Sequence, residues 1–175
     1  ENIPELHGFV SNINPPLTCD QTFDCIFAIS IWSHFDQHIG KKWINELHHK
    51  LNENSVLLIT VQGIISMMYF LAKQSDDINH YRIIYDNLNS EGFFFYNAFS
   101  NNIDWDSDTK NQEWGMSYLT DNWLKENYIK DKFNIIGYYP GRCELNQDVY
   151  VLQKKIIIYK GSENYKYILI IMLNL

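Results

Sequence analysis

Paired cysteines, a basic stripe, a membrane-length apolar run and a glycine fingerprint are all missing from this sequence. Its three cysteines, Cys19, Cys25 and Cys143, are an odd number with no paired framework, which excludes a disulfide-stapled fold. Cys25 sits inside an apolar run, where it packs as a small hydrophobe, and a reducing, cytoplasmic setting fits best. The formal charge is −7, and Lys41-Lys42 and Lys154-Lys155 are isolated basic pairs. A nucleic-acid partner is therefore not expected, because phosphate binding needs a basic face. The opening Glu1-Asn2-Ile3-Pro4 lacks the basic and apolar regions of a secretory signal. Tyr165 to Leu173 is strongly apolar but shorter than the ~20 residues that span a bilayer, so no membrane partner is expected either. No internal repeat or low-complexity linker divides the chain.

What is present is the composition of one globular domain: 175 residues, 46% hydrophobic and 20% charged. That length buries a core without staples. Leu6 to Val10 reads as a short strand closed by a loop ending in Pro15-Pro16, where two amide donors are lost. Asp24 to Ser30 is apolar at consecutive positions, the pattern of a central strand covered on both faces. Ile39, Trp43, Leu47 and Leu51 then recur at helical spacing from about Asp36 to Leu51, and Asn52-Glu53-Asn54 ends that helix. Ser55 to Val61 is a second doubly apolar strand. A strand, helix and strand with short links call for a parallel crossover, and hence an α/β sheet.

Further on, Ile64 to Lys73 and Asp76 to Leu88 read as helices, and Asn89 to Glu113 as irregular. Leu119 to Tyr128 reads as a helix capped by Thr120 or Asp121. Phe133 to Tyr139 and Val149 to Lys155, with a turn expected at Pro140-Gly141-Arg142, form an antiparallel pair closing the sheet.

In this order the segments resemble the class I S-adenosylmethionine-dependent methyltransferases. Asn12 to Asp24 is similar to that family's adenine-contacting loop. Phe23-Asp24-Cys25-Ile26-Phe27-Ala28-Ile29-Ser30-Ile31-Trp32-Ser33-His34-Phe35 is similar to its fourth strand and following loop. Leu51 to Thr60 is similar to its fifth strand and the turn before it, although the Pro and both Gly of that turn are missing here. Trp114-Gly115 through Gln147-Asp148-Val149-Tyr150-Val151-Leu152 resembles its last helix and closing hairpin. The resemblance spans about residues 6 to 155, leaving 156–175 as an apolar tail without a counterpart: an added edge strand, an interaction segment or the product of a shifted frame.

The resemblance implies a Rossmann-like methyltransferase sheet, N-terminally incomplete. The family's first strand, its glycine-rich turn and the acidic end of its second strand would lie before residue 1. The first strand sits beside strand four in that sheet, so Asp24 to Ser30 is expected to keep an unpaired apolar edge. It also implies S-adenosyl-L-methionine as cofactor and a small molecule as methyl acceptor. The alternative is a non-catalytic remnant or partner-binding module. A different doubly wound enzyme, such as a nucleotide-binding oxidoreductase, does not account for the closing hairpin.

Methyl transfer from a sulfonium is driven largely by placing the nucleophile in line with the methyl group, and a base is needed only when the acceptor must lose a proton. By resemblance, Asn12 and Ile13 contact adenine, and Ala28, Ser30 and Ile31 lie along the cofactor in the crevice outside the strand ends. Core packing is the other reading for Ala28, Ser30 and Ile31. Trp32 either walls the cofactor pocket or covers the sheet. His34 either acts as a base near the transferred methyl, having an ordinary pKa near neutrality, or orients the loop or begins the next helix. Gln62 and Gly63 follow strand five, where the family faces its substrate. Tyr96, Trp105, Trp114, Tyr118 and Arg142 are candidates to line an acceptor pocket or to pack. No metal site is expected: His34 and His38 have helical i, i+4 spacing without a third ligand, and Asp104, Asp106 and Asp108 lack the remainder of a calcium loop.

Overall fold

The apolar run beginning at Phe23 forms strand β1 (Phe23–Ile29) in the computed structural model, which describes residues 15–73, 78–97 and 115–155 and the backbone of 168–172. The expected strand Leu6–Val10 and most of the segment Asn89–Glu113 lie outside the described residues, as do Asn12, Ile13, Asp104, Trp105, Asp106, Asp108 and Trp114. Ile26 and Ala28 in β1 are fully buried, whereas Cys25, Phe27 and Ile29 are half-buried. Among the described residues, the strand is thus completely covered on one face and partly covered on the other. The cause is that the helices after β1 and before the closing hairpin converge on the Ile26–Ala28 face in one cluster.

Asp36 turns the chain into helix α1 (Gln37–Lys50): its Oδ1 accepts from the amides of His38 at 2.7 Å and Ile39 at 2.8 Å. The helical period of the sequence is realised, with Ile39, Trp43, Ile44 and Leu47 buried against the sheet. Burial of Ile44 and Leu47, both at 0% exposure, stabilises the layer by ~1.5–3 kcal/mol each. Strand β2 (Leu51–Val61) begins directly after α1, so Asn52-Glu53-Asn54 belongs to the strand rather than to a separate link. Leu51 is already paired with Phe23, and Asn52 Nδ2 donates to Asp24 Oδ1 at 2.8 Å. The four residues between Leu51 and Val56 face one residue between Phe23 and Cys25, an excursion with Asn54 at φ 61°.

Helices α2 (Ile64–Lys73) and α3 (Ile78–Ser90) follow as expected. They pack with Tyr118 in a second cluster made of Met67, Tyr81, Ile84 and Leu88. Phe93–Tyr96 is strand β3, not irregular chain, and it pairs antiparallel with β4 (Met116–Leu119). Leu119 is therefore a strand residue, and the next helix, α4, covers only Asp121–Leu124 before widening into a π-helical turn over Lys125–Ile129. Thr120 is the cap, its hydroxyl accepting from Trp123 N at 3.3 Å.

The closing hairpin is longer than expected. Strand β5 runs Phe133–Cys143 and β6 runs Gln147–Lys154, so Pro140-Gly141-Arg142 lies within a strand and the turn falls at Glu144-Leu145. The displaced Pro-Gly signal is a bulge: three residues, 140–142, oppose Asp148 between the pairs Tyr139↔Val149 and Cys143↔Gln147. Gly141 has φ 63° there, and its amide donates to Asp148 Oδ1 at 2.8 Å.

The main sheet has the order β5-β6-β2-β1-β7, where β7 is Ile168–Met172. β1 is parallel to β2 and β7, and β6 is antiparallel to both β2 and β5. The expectation of a bare β1 edge is corrected, because Cys25 to Ile29 pair in register with Ile168 to Met172. An apolar strand whose backbone donors and acceptors lack partners on one side is satisfied by any reachable apolar strand, and the chain's own tail supplies it. Among the described residues, no helix is long and apolar enough to cross a membrane.

Candidate functional site

Where β1 ends, Ser30 adopts φ 57°, a left-handed conformation rare outside glycine. Three hydrogen bonds hold it there. Its amide donates to Thr60 Oγ1 at 2.8 Å, the Thr60 hydroxyl donates to Gln147 Oε1 at 2.6 Å, and Gln147 Nε2 donates to Ser30 Oγ at 3.1 Å. These bonds close a ring that joins β1, β2 and β6, and the Ser30 hydroxyl also lies within donating distance of Gln147 Oε1, at 3.3 Å. Gln147 is buried and Thr60 is nearly inaccessible, so the ring lies under the strand ends.

The loop after Ser30 is pinned from the other side by the β3–β4 hairpin. Ser117 N donates to the Ser33 carbonyl at 2.9 Å, Gly115 N to the His34 carbonyl at 2.9 Å, and Leu119 N to the Gln62 carbonyl at 2.9 Å. Strand β4 thereby joins the loops leaving β1 and β2. His34 Nδ1 lies 2.9 Å from the carbonyl oxygen of Gly115. A carbonyl only accepts, so the Nδ1 carries the proton. Burial lowers the His34 pKa, partly opposed by this hydrogen bond, and leaves a neutral imidazole at pH 7.

On the β2 side, Gln62 and Gly63 sit where the strand ends, both buried. Gly63 is required by close approach: a β-carbon there would lie 2.7 Å from Asp148 Oδ2. Asp148 is itself buried, and desolvation raises its pKa against the hydrogen bonds from Gly141 and Tyr138 that favour its charged form. Among the described residues, Gln62 Oε1, Ser33 Oγ and Asn146 Oδ1, together with Ser55 Oγ earlier in β2, are buried without a hydrogen-bond partner. Such atoms are costly unless a water or ligand group donates to them.

The sequence candidates separate into two groups. Ser30, His34, Gln62 and Gly63 come together at the carboxyl ends of β1 and β2, linked through β4. Ala28, Ile31 and Trp32 lie in the main core at 0%, 4% and 1% exposure, and Trp32 Nε1 donates to the Gly40 carbonyl at 3.3 Å. Tyr118 lies in the second core, where burial beside Tyr96 and Tyr81 raises its pKa. Arg142 is exposed on the β5 bulge. His34 precedes α1 and is buried, whereas His38 is exposed in its first turn, so the two do not share a helix face. Thr60, Gln147 and Asp148 were not singled out by the sequence reading. The available signal was the polar run Asn146-Gln147-Asp148 opening an otherwise apolar strand.

No family model and no curated protein matches the chain. Solved structures do, among them two methyltransferases. A SAM-dependent methyltransferase from Methanosarcina mazei aligns over 82% of this chain and 65% of its own, at 17% identity and a TM-score of 0.50. An S-adenosylmethionine-dependent methyltransferase from Clostridium acetobutylicum aligns over 82% of this chain and 63% of its own, at 10% identity and a TM-score of 0.48. The chain spans less than two thirds of either. At this level of identity the likeness is one of fold: the chain is a mixed α/β structure similar to a methyltransferase sheet.

Proposed function

We propose that this chain is part of a methyltransferase that uses S-adenosyl-L-methionine and transfers its methyl group to a small-molecule acceptor. The observation that carries the reading is the sheet order β5-β6-β2-β1, with an antiparallel hairpin closing on β2 and the polar residues gathered at the carboxyl ends of β1 and β2. Ligands of open α/β sheets bind in the crevice outside those strand ends. The acidic balance of the chain favours a small acceptor over nucleic acid.

The residues present fit such a ligand. Ser33 Oγ and Gln62 Oε1 are buried groups lacking donors, and the amino and hydroxyl groups of an adenosyl nucleotide or of an acceptor supply them. When bound, the cofactor contributes an already activated methyl group. The protein's own part is to orient the two ligands, exclude water and, where the acceptor must lose a proton, take it. His34 is the residue assigned to that last step, because its neutral imidazole is the form able to accept a proton. Calorimetric titration of the full-length protein with S-adenosylhomocysteine is expected to give saturable binding. No heat and no thermal shift would remove the cofactor assignment and favour the reading of a partner-binding module.

A further inference from the structure

The ring of Ser30, Thr60 and Gln147 does more than satisfy buried polar atoms. A non-glycine residue in the left-handed region is strained, and it persists only where its surroundings dictate it. At Ser30 that instruction arrives from 117 residues away in sequence, through the Gln147 amide. Gln147 offers donor and acceptor on one planar group: Oε1 accepts from the Thr60 hydroxyl, and Ser30 Oγ lies 3.1 Å from Nε2 and 3.3 Å from Oε1. Loss of the amide opens the ring, and neighbouring bonds in a closed ring weaken together.

The consequence extends beyond Ser30. The chain reverses at Ser30 into Ile31–Phe35, and this segment carries Ser33 and His34 to the edge of β4. We propose that Gln147 is a positioning residue. By fixing Ser30 in its left-handed conformation it sets the placement of Ser33 and His34 at the carboxyl end of β1. This rests on the methyltransferase reading for its functional meaning, while the geometry is testable without any ligand.

The experiment uses NMR on the full 175-residue chain, following hydrogen exchange of the Ser30 amide and the imidazole nitrogen shifts of His34. Gln147→Met keeps the volume and removes both hydrogen bonds. The Ser30 amide should exchange at least about tenfold faster and the His34 signals should move. Thr60→Val should reproduce this, and Thr60→Ser, which keeps the hydroxyl, should not. Ser30→Gly tolerates the left-handed turn by itself, so in that background Gln147→Met should no longer move His34. Leu88→Ala, in the second core, should lower the melting temperature without moving the His34 signals. If Gln147→Met does not fold, Gln147→Leu, which also lacks donor and acceptor, and Thr60→Val are read in the same way.

Unchanged Ser30 exchange and His34 shifts in a destabilised Gln147→Met protein would overturn the proposal and reduce Gln147 to packing. If wild type binds S-adenosylhomocysteine, Gln147→Met should weaken that binding about tenfold, the loss of one shared buried hydrogen-bond network; equal affinity would also overturn it. If wild type does not bind, the methyltransferase reading fails, and the exchange and shift readouts still decide the role of Gln147.

Discussion

His34 Nδ1 and the carbonyl oxygen of Gly115 lie 2.9 Å apart, joining the loop after β1 to the start of β4. This contact fixes the tautomer, and burial lowers the pKa below its ordinary 6.5. His48 is lowered further, to about 4, by burial and then by Lys154, His49 and Lys132. Unfolded histidine takes up a proton near 6.5, so between the native value and 6.5 the unfolded chain holds more protons than the folded one. Stability contributed by both groups should therefore be complete above pH 6.5 and fall as the pH drops toward 4. Asp148, raised above 3.8 by burial, acts in the opposite direction, adding stability as the pH falls through its raised pKa toward 3.8. Urea unfolding at pH 7 and pH 5 should show the loss, and His48→Gln should reduce it. Equal midpoints in the wild type would contradict the lowered pKa of both imidazoles.

Gly40→Ala presents a contest of sign. In a helix the change is favourable by about 1 kcal/mol. Here the new β-carbon would meet the Tyr128 hydroxyl, lie 2.9 Å from Tyr128 Cζ, and sit 3.3 Å from Trp32 Cδ1. Tyr128 is buried and its hydroxyl bonds the Gln37 carbonyl, so it has no open space to enter. Overpacking wins, with a net destabilisation of about 2 kcal/mol in chemical denaturation.

The turn of the β5–β6 hairpin should respond the other way. Glu144 and Leu145 hold φ 51° and 63°, a pair of left-handed residues that Asn-Gly accommodates more easily. Replacing them with Asn and Gly should stabilise the chain by about 1 kcal/mol, the relief of strain less the entropy of glycine. Thermal unfolding measures it, and a lowered midpoint would contradict the turn geometry.

The tail strand offers a covalent test. Cys25 and Ile168 are register partners in the parallel β1–β7 ladder. Adjacent strands lie about 4.8 Å apart, within the Cα separation a disulfide spans. Ile168→Cys should oxidise to a single-chain species of increased gel mobility that is lost on reduction and absent in a Cys25→Ser background. Burial and Asp24 raise the Cys25 thiol, so oxidation should be faster at pH 9 than at pH 7. Formation of dimers alone would contradict pairing within one chain.

Much of this fold is visible in local patterns. Asp36 followed by Ile39, Trp43 and Leu47 marks α1 because a cap and a 3.6-residue period occur together. Phe93–Tyr96 is only four residues long and carries no alternation, and it becomes a strand through pairing with β4. Pro140-Gly141 looks like a hairpin turn, yet the Asp148 carboxylate captures the Gly141 amide and makes it a bulge. The site divides in the same way. The change from apolar to polar at Ser30 is local, whereas Thr60 and Gln147 matter only because β6 inserts antiparallel beside β2. Trp32 and Tyr118 carry polar handles that suit a pocket, but packing places both inside cores.

The central claim is that the crevice at the carboxyl ends of β1 and β2 holds an S-adenosyl ligand. Amide NMR of the chain titrated with S-adenosylhomocysteine to millimolar concentration tests it most directly, since weak binding is sufficient for the readout. The expected result is saturable shifts at Ser30, Ser33, His34, Gln62 and Gly63, with the amino-terminal ends of the same strands unmoved. No saturable shifts, or shifts confined to the opposite end of the sheet, would contradict it.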